Sequence, residues 1–103
     1  MTEIRETRKG DRVRVSIHGH AGVEPGNDPV CNALSILTYT MIGKLDKLED
    51  AGKIRDLIID IDDGHAIVSF TDRSKVWPEL WDTISLGYRM LSEEYPNNVY
   101  LTT

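Results

Sequence analysis

Residues 12–18 alternate strictly, with Val13, Val15 and Ile17 on one side of an extended chain and Arg12, Arg14, Ser16 and His18 on the other. That pattern predicts a half-buried strand. Residues 2–8 read as a more exposed strand, and the turn-forming Lys9-Gly10-Asp11 between them closes a first hairpin. From Gly19 to Pro29 the alternation stops, and Gly19, Gly22, Pro25, Gly26 and Asn27 mark an irregular loop. A long helix then begins. Asp28 is suited to the N-cap, and Pro29 stands at the first helical position, where no N–H is required. Val30, Leu34, Leu37, Met41, Leu45 and Leu48 recur every three or four residues as a core stripe, and Gly52 supplies the stop.

Asp63-Gly64 is a two-residue turn signal between β-rich arms, predicting a second hairpin. A turn there sets Asp62 opposite His65, Ile61 opposite Ala66, Ile59 opposite Val68 and Leu57 opposite Phe70. A second helix is expected over about 76–95, with Trp77, Leu80, Trp81, Ile84, Tyr88, Leu91 and Tyr95 on one stripe. Pro96 and Asn97 end it, and Val99-Tyr100-Leu101 can add a short last strand. The order β-β-α-β-β-α, with that final strand, predicts an α+β fold of two layers, an antiparallel sheet covered by two helices. No linker or repeat divides residues 1–103, which are expected to form a single domain.

Composition narrows the function. The chain is 40% hydrophobic and 28% charged, an ordinary globular balance. It carries 17 Asp+Glu against 12 Lys+Arg, a net charge of −5, which argues against direct nucleic-acid binding and suits a basic protein partner. No apolar stretch approaches the roughly 18–20 residues of a membrane span, and the charged N-terminus does not read as a signal peptide. A single cysteine, Cys31, permits no intramolecular disulfide and suggests a reducing, cytoplasmic setting.

That cysteine stands three residues after Asp28, at the positive end of a helix dipole and among amides without intrahelical partners. The field there favours the nucleophilic thiolate, and the same amides suit a developing oxyanion. His20, across the glycine loop, supplies an imidazole within reach of a folded-back loop, so one Cys and one His make the minimum for thiol-based acyl transfer. Asp28 either caps the helix or orients His20. Ser35 and Thr38 continue the polar strip on the Cys31 side. The structural alternatives are a packed core cysteine and a solvated loop histidine. On a continued strand His18 and His20 would share a face with Cys31 nearby, but no fourth ligand has zinc-like spacing, and Asp60, Asp62 and Asp63 lack the spacing of a calcium loop. No metal site and no cofactor are expected.

Gly19-His20-Ala21-Gly22, then Gly26-Asn27-Asp28-Pro29-Val30-Cys31 and Ser35, resembles the ribosomal-processing cysteine protease family, Prp. Glu93-Glu94-Tyr95-Pro96 resembles the family's C-terminal end, so nearly the whole chain is covered. The resemblance implies a cysteine endopeptidase that removes the N-terminal extension of a bacterial large-subunit ribosomal protein, number twenty-seven. It implies His20 as base and Cys31 as nucleophile, with Asp28, Ser35, Gly19, Gly22 and Gly26 supporting the site or binding substrate. It also implies a homodimer and a glycine loop that settles when substrate docks. The chain departs from the pattern in a His-to-Cys interval one residue shorter, within Val23-Glu24-Pro25, in Pro29 for an aliphatic residue, and in Asn32-Ala33 for a smaller pair. The alternatives are a divergent or phage-type homologue cleaving another protein, and a dimeric binding module without catalysis.

Overall fold

The computed structural model describes residues 1–22 and 28–102. The elements are β1 (Thr2–Lys9), β2 (Arg12–His18), α1 (Pro29–Asp50), β3 (Arg55–Asp62), β4 (His65–Thr71), α2 (Trp77–Glu94) and β5 (Val99–Thr102). They build one five-stranded sheet in the order β3-β4-β2-β1-β5. Both hairpins form, and β2 and β4 pair antiparallel at its centre. The final strand differs from an all-antiparallel expectation: β5 returns from α2 and pairs parallel to β1, Thr2 to Val99 and Ile4 to Leu101.

The two helices lie on one face, packed on each other, with α1 reaching over β3 and α2 over β5. Between them and the sheet sit Ile4, Val13, Val15, Ile17, Leu34, Met41, Leu45, Val68, Phe70, Trp77, Ile84 and Tyr88, all buried. Burying a Leu, Ile or Phe side chain contributes about 1.5–3 kcal/mol each, so this layer holds the fold without a disulfide. Trp77 is its largest piece. It meets Phe70 edge-on at 5.0 Å, stacks on Trp81 at 5.4 Å, and its Nε1 donates to Glu6 Oε2 at 2.7 Å. Asp72, buried between β4 and α2, accepts the Val76 and Trp77 amides at 3.2 and 2.9 Å and so fixes the start of α2.

The second hairpin keeps the expected register for Ile59–Val68, Ile61–Ala66 and Asp62–His65. The expected Leu57–Phe70 pair falls in an irregularity between Arg55 and Ile58. Asp56 there has φ 55°, Arg12 Nη1 donates to its carbonyl at 3.0 Å, and the Leu57 amide donates to Glu49 Oε2 of α1 at 2.9 Å. The ladder is interrupted because a helix side chain takes its donor. The apolar face of β3 is also less covered than its pattern suggests: Ile59 and Ile61 remain 40% and 44% exposed, because β3 is the sheet edge, with α1 packed against it.

Candidate active site

His20 is placed by the residue before it. At Gly19 strand β2 has ended and the backbone turns with φ 98°. The Gly19 amide donates to the Gly64 carbonyl at 2.7 Å, and its own carbonyl accepts from Thr2 Oγ1 at 3.2 Å. A Cβ at Gly19 would stand 2.2 Å from the Met1 carbonyl oxygen, so no side chain fits. This reverses the strand's outward direction. His18 faces the open side of the sheet with Arg14, Ser16 and His65, whereas His20 lines a cleft on the helix side. The two histidines therefore do not share a face, contrary to the continued-strand reading. Among the described residues, no group of His, Cys, Asp and Glu is arranged to hold a metal ion.

Cys31 reaches the same cleft from the first turn of α1, half-buried and unpaired with another cysteine. The cleft measures about 480 Å³. Cys31, Ser35, Thr38 and Tyr39 form its helical wall, and Ile61 to Ala66 of the second hairpin form the opposite wall. Ser35 is exposed one turn beyond Cys31. Thr38 is buried and bonded to the Tyr88 hydroxyl at 2.7 Å, and burial raises the Tyr88 phenol to about 12.

The helix start differs from the sequence expectation of unpaired amides beside the thiol. Asp28 caps it: Oδ1 accepts from Val30 N at 2.9 Å and Cys31 N at 3.2 Å. The Asn32 amide donates to the Asp28 carbonyl at 3.0 Å, and Pro29 has no N–H. The donors next to Cys31 are thus satisfied by an anionic oxygen at rest, so an incoming oxyanion meets an occupied site. Of the two roles open to Asp28, the structure displays capping.

The His20 imidazole is exposed, with 66% of its side chain open to solvent. Its charged neighbour is one the sequence reading missed, Asp63 of the β3–β4 turn, whose Oδ1 lies 3.9 Å from Nε2. No hydrogen bond joins His20 to Cys31 in this resting arrangement. Catalytic hydrogen bonds commonly tighten only in the substrate complex. Gly22 has φ 73° and open space at its Cβ position. Gly26 lies outside the described residues.

A half-buried thiol at a helix N-terminus and an imidazole on the facing loop, lining one cleft of a small α+β domain, have the layout of a thiol hydrolase. The profile of the cysteine protease Prp family matches residues 1–100, and the chain belongs to that family of cysteine proteases. The chain is similar to an essential ribosomal processing protease Prp from S. aureus in complex with a covalently linked product peptide. Identity is 25%, coverage 99% of this chain and 98% of that one, and the TM-score 0.80. A second structure of the S. aureus protease, with a substrate peptide, matches the fold at 22% identity, over 99% and 98% of the two chains, with a TM-score of 0.71. The protein SMU.848 from Streptococcus mutans matches at 27% identity, over 99% and 90%, with a TM-score of 0.60. No curated protein matches the chain significantly. Among the described residues, no helix is long and apolar enough to cross a membrane.

Proposed function

We propose that the chain removes the N-terminal extension of a large-subunit ribosomal protein precursor through a Cys31–His20 dyad. The observation that carries this reading is the shared cleft, which receives both side chains from separate elements in a member of the Prp family. The S. aureus relative in complex with a substrate peptide supports a peptide as the occupant. The −5 charge, and Asp62 and Asp63 on the cleft wall, suit a basic precursor.

Chemistry proceeds by acyl transfer. Cys31 Sγ attacks the scissile carbonyl as His20 takes the thiol proton, forming the C–S bond. The tetrahedral oxyanion takes the Cys31 amide from Asp28 Oδ1, one anionic oxygen replacing another at the positive end of α1. Collapse breaks the C–N bond while His20 protonates the leaving amine. Water, losing a proton to His20, then releases the acyl group and restores the thiol. In this reading Ser35, which lines the same wall one turn along, contacts the bound peptide.

The working assembly in this reading is a cytoplasmic homodimer, supported by apolar side chains left exposed on both helices, Ile36 and Tyr39 of α1 and Leu86 and Met90 of α2. The deciding experiment incubates the precursor of ribosomal protein number twenty-seven from the same bacterium with the wild-type chain and with Cys31→Ala. Mass spectrometry should show loss of one N-terminal peptide with the first and an intact precursor with the second. Cleavage by Cys31→Ala, or none by the wild type, overturns the reading.

A further inference from the structure

The tip of the second hairpin carries three aspartates, Asp60, Asp62 and Asp63, and the structure gives each a different task. Asp60 Oδ2 stands 3.6 Å from His65 Nε2. Asp62 Oδ1 accepts the Asp63 amide at 2.7 Å and is spent on the turn itself. Asp63 Oδ1 stands 3.9 Å from His20 Nε2. The backbone supports that last approach, because the Gly19 amide is bonded to the Gly64 carbonyl and ties the root of His20 to the same turn. Gly64 completes it, since a Cβ there would sit 3.0 Å from Nε2, and its absence lets the ring lie close over the turn.

We propose that Asp63 is the positioning residue for His20. Its carboxylate lies on the Nε2 side of the ring, favours the proton on that nitrogen through its charge, and leaves Nδ1 as the base toward Cys31. When the imidazole takes the thiol proton, the carboxylate stabilises the imidazolium, the role an acidic third member plays in other nucleophile–base pairs. A peptide in the cleft covers the pair, lowers the dielectric around it and strengthens their attraction. This inference rests on the reading of His20 as the catalytic base.

The test compares wild type, Asp63→Asn, Asp63→Glu and His20→Ala in cleavage of the purified precursor, with kcat and KM measured separately. Asp63→Asn keeps the turn, because its left-handed position belongs to Gly64, with φ 79°, and not to Asp63, so its melting temperature should match wild type. Its kcat should fall roughly two- to fivefold with KM little changed, the scale of an exposed ion pair, since 66% of the His20 and 94% of the Asp63 side chain are open to solvent. Asp63→Glu should recover most of that loss. Wild-type kcat in Asp63→Asn with an inactive His20→Ala overturns the positioning role and leaves the dyad standing. A loss confined to KM also overturns it, since Asp63 would then be touching substrate. Full activity in His20→Ala, or no cleavage by wild type, overturns the underlying reading instead.

Discussion

Thr38 Oγ1 and the Tyr88 hydroxyl lie 2.7 Å apart in the core, joining α1 to α2. Thr38 is two turns along the helix from Cys31 and forms part of the cleft wall. The bond therefore connects the helical wall of the site to the packing of α1 against α2.

Tyr88→Phe should destabilise the fold by about 1–2 kcal/mol, because the Thr38 hydroxyl stays buried without its partner. For a domain of this size that is a fall in Tm of roughly 4–16 °C. Combining it with Thr38→Val should restore part of the loss by removing both polar groups, and thermal melts of the single and double variants check the coupling.

The same tyrosine sets an alkaline limit. Its phenol is raised from 10.0 to about 12 by burial, against the opposing effect of the Thr38 hydrogen bond. The unfolded chain thus gives up its proton near pH 10 while the folded chain keeps it, and between these values the unfolded state binds fewer protons. Stability contributed by the neutral phenol is complete below pH 10 and is lost as pH rises toward 12, at most about 1.4 kcal/mol per pH unit. Denaturant midpoints measured across that window should fall in wild type and fall less steeply in Tyr88→Phe.

Gly19→Ala should cost at least about 2 kcal/mol, combining a left-handed backbone with a clash. The clash is with the Met1 carbonyl oxygen, 2.2 Å from the new Cβ, which is backbone and cannot swing aside as a side-chain tip would. Relief would have to shift β1 or lift Gly19 from Gly64, and the second displaces His20. Precursor cleavage should therefore drop more than the loss of folded protein explains, as judged by circular dichroism at the assay temperature.

The legible parts of this fold are those written in local periodicity. Val13, Val15 and Ile17 are buried on one face of β2 as their alternation requires, and Asp63-Gly64 closes a hairpin whose outer register matches the sequence pattern. Contacts between distant segments were not legible. The pairing of β2 with β4 and the parallel return of β5 onto β1 depend on which edges meet after collapse, and no spacing within either segment encodes that choice. The site divides along the same line. Cys31 at a capped helix start is a local motif, and the Gly-His-Ala-Gly stretch marked the loop of its partner. Asp63 came near His20 only through the β2–β4 pairing, which sets His18 opposite His65 and so brings the end of β2 beside the hairpin turn. The occupied amides of Val30 and Cys31 follow from the same Asp28 that the sequence marks as a cap, and their consequence for the oxyanion lies in the distances.

Asp28 separates cap from catalysis in two substitutions. Asn is as good an N-cap as Asp, so Asp28→Asn should leave Tm within about 2 °C of wild type, the carboxamide oxygen taking the Val30 and Cys31 amides. Asp28→Ala removes that acceptor and should cost about 1 kcal/mol, a fall of roughly 4–8 °C. If capping is what the site requires of Asp28, cleavage follows stability: Asp28→Asn stays active and Asp28→Ala loses activity with its first turn. A negative oxygen also has to leave the Cys31 amide before an oxyanion can take it, and a neutral amide oxygen is the weaker competitor at the positive end of a helix. Asp28→Asn is therefore expected to retain or slightly exceed the wild-type kcat. A large fall in kcat for Asp28→Asn at unchanged Tm would instead show that the charge acts on His20 during turnover, and kinetics on the two folded variants decides between these roles.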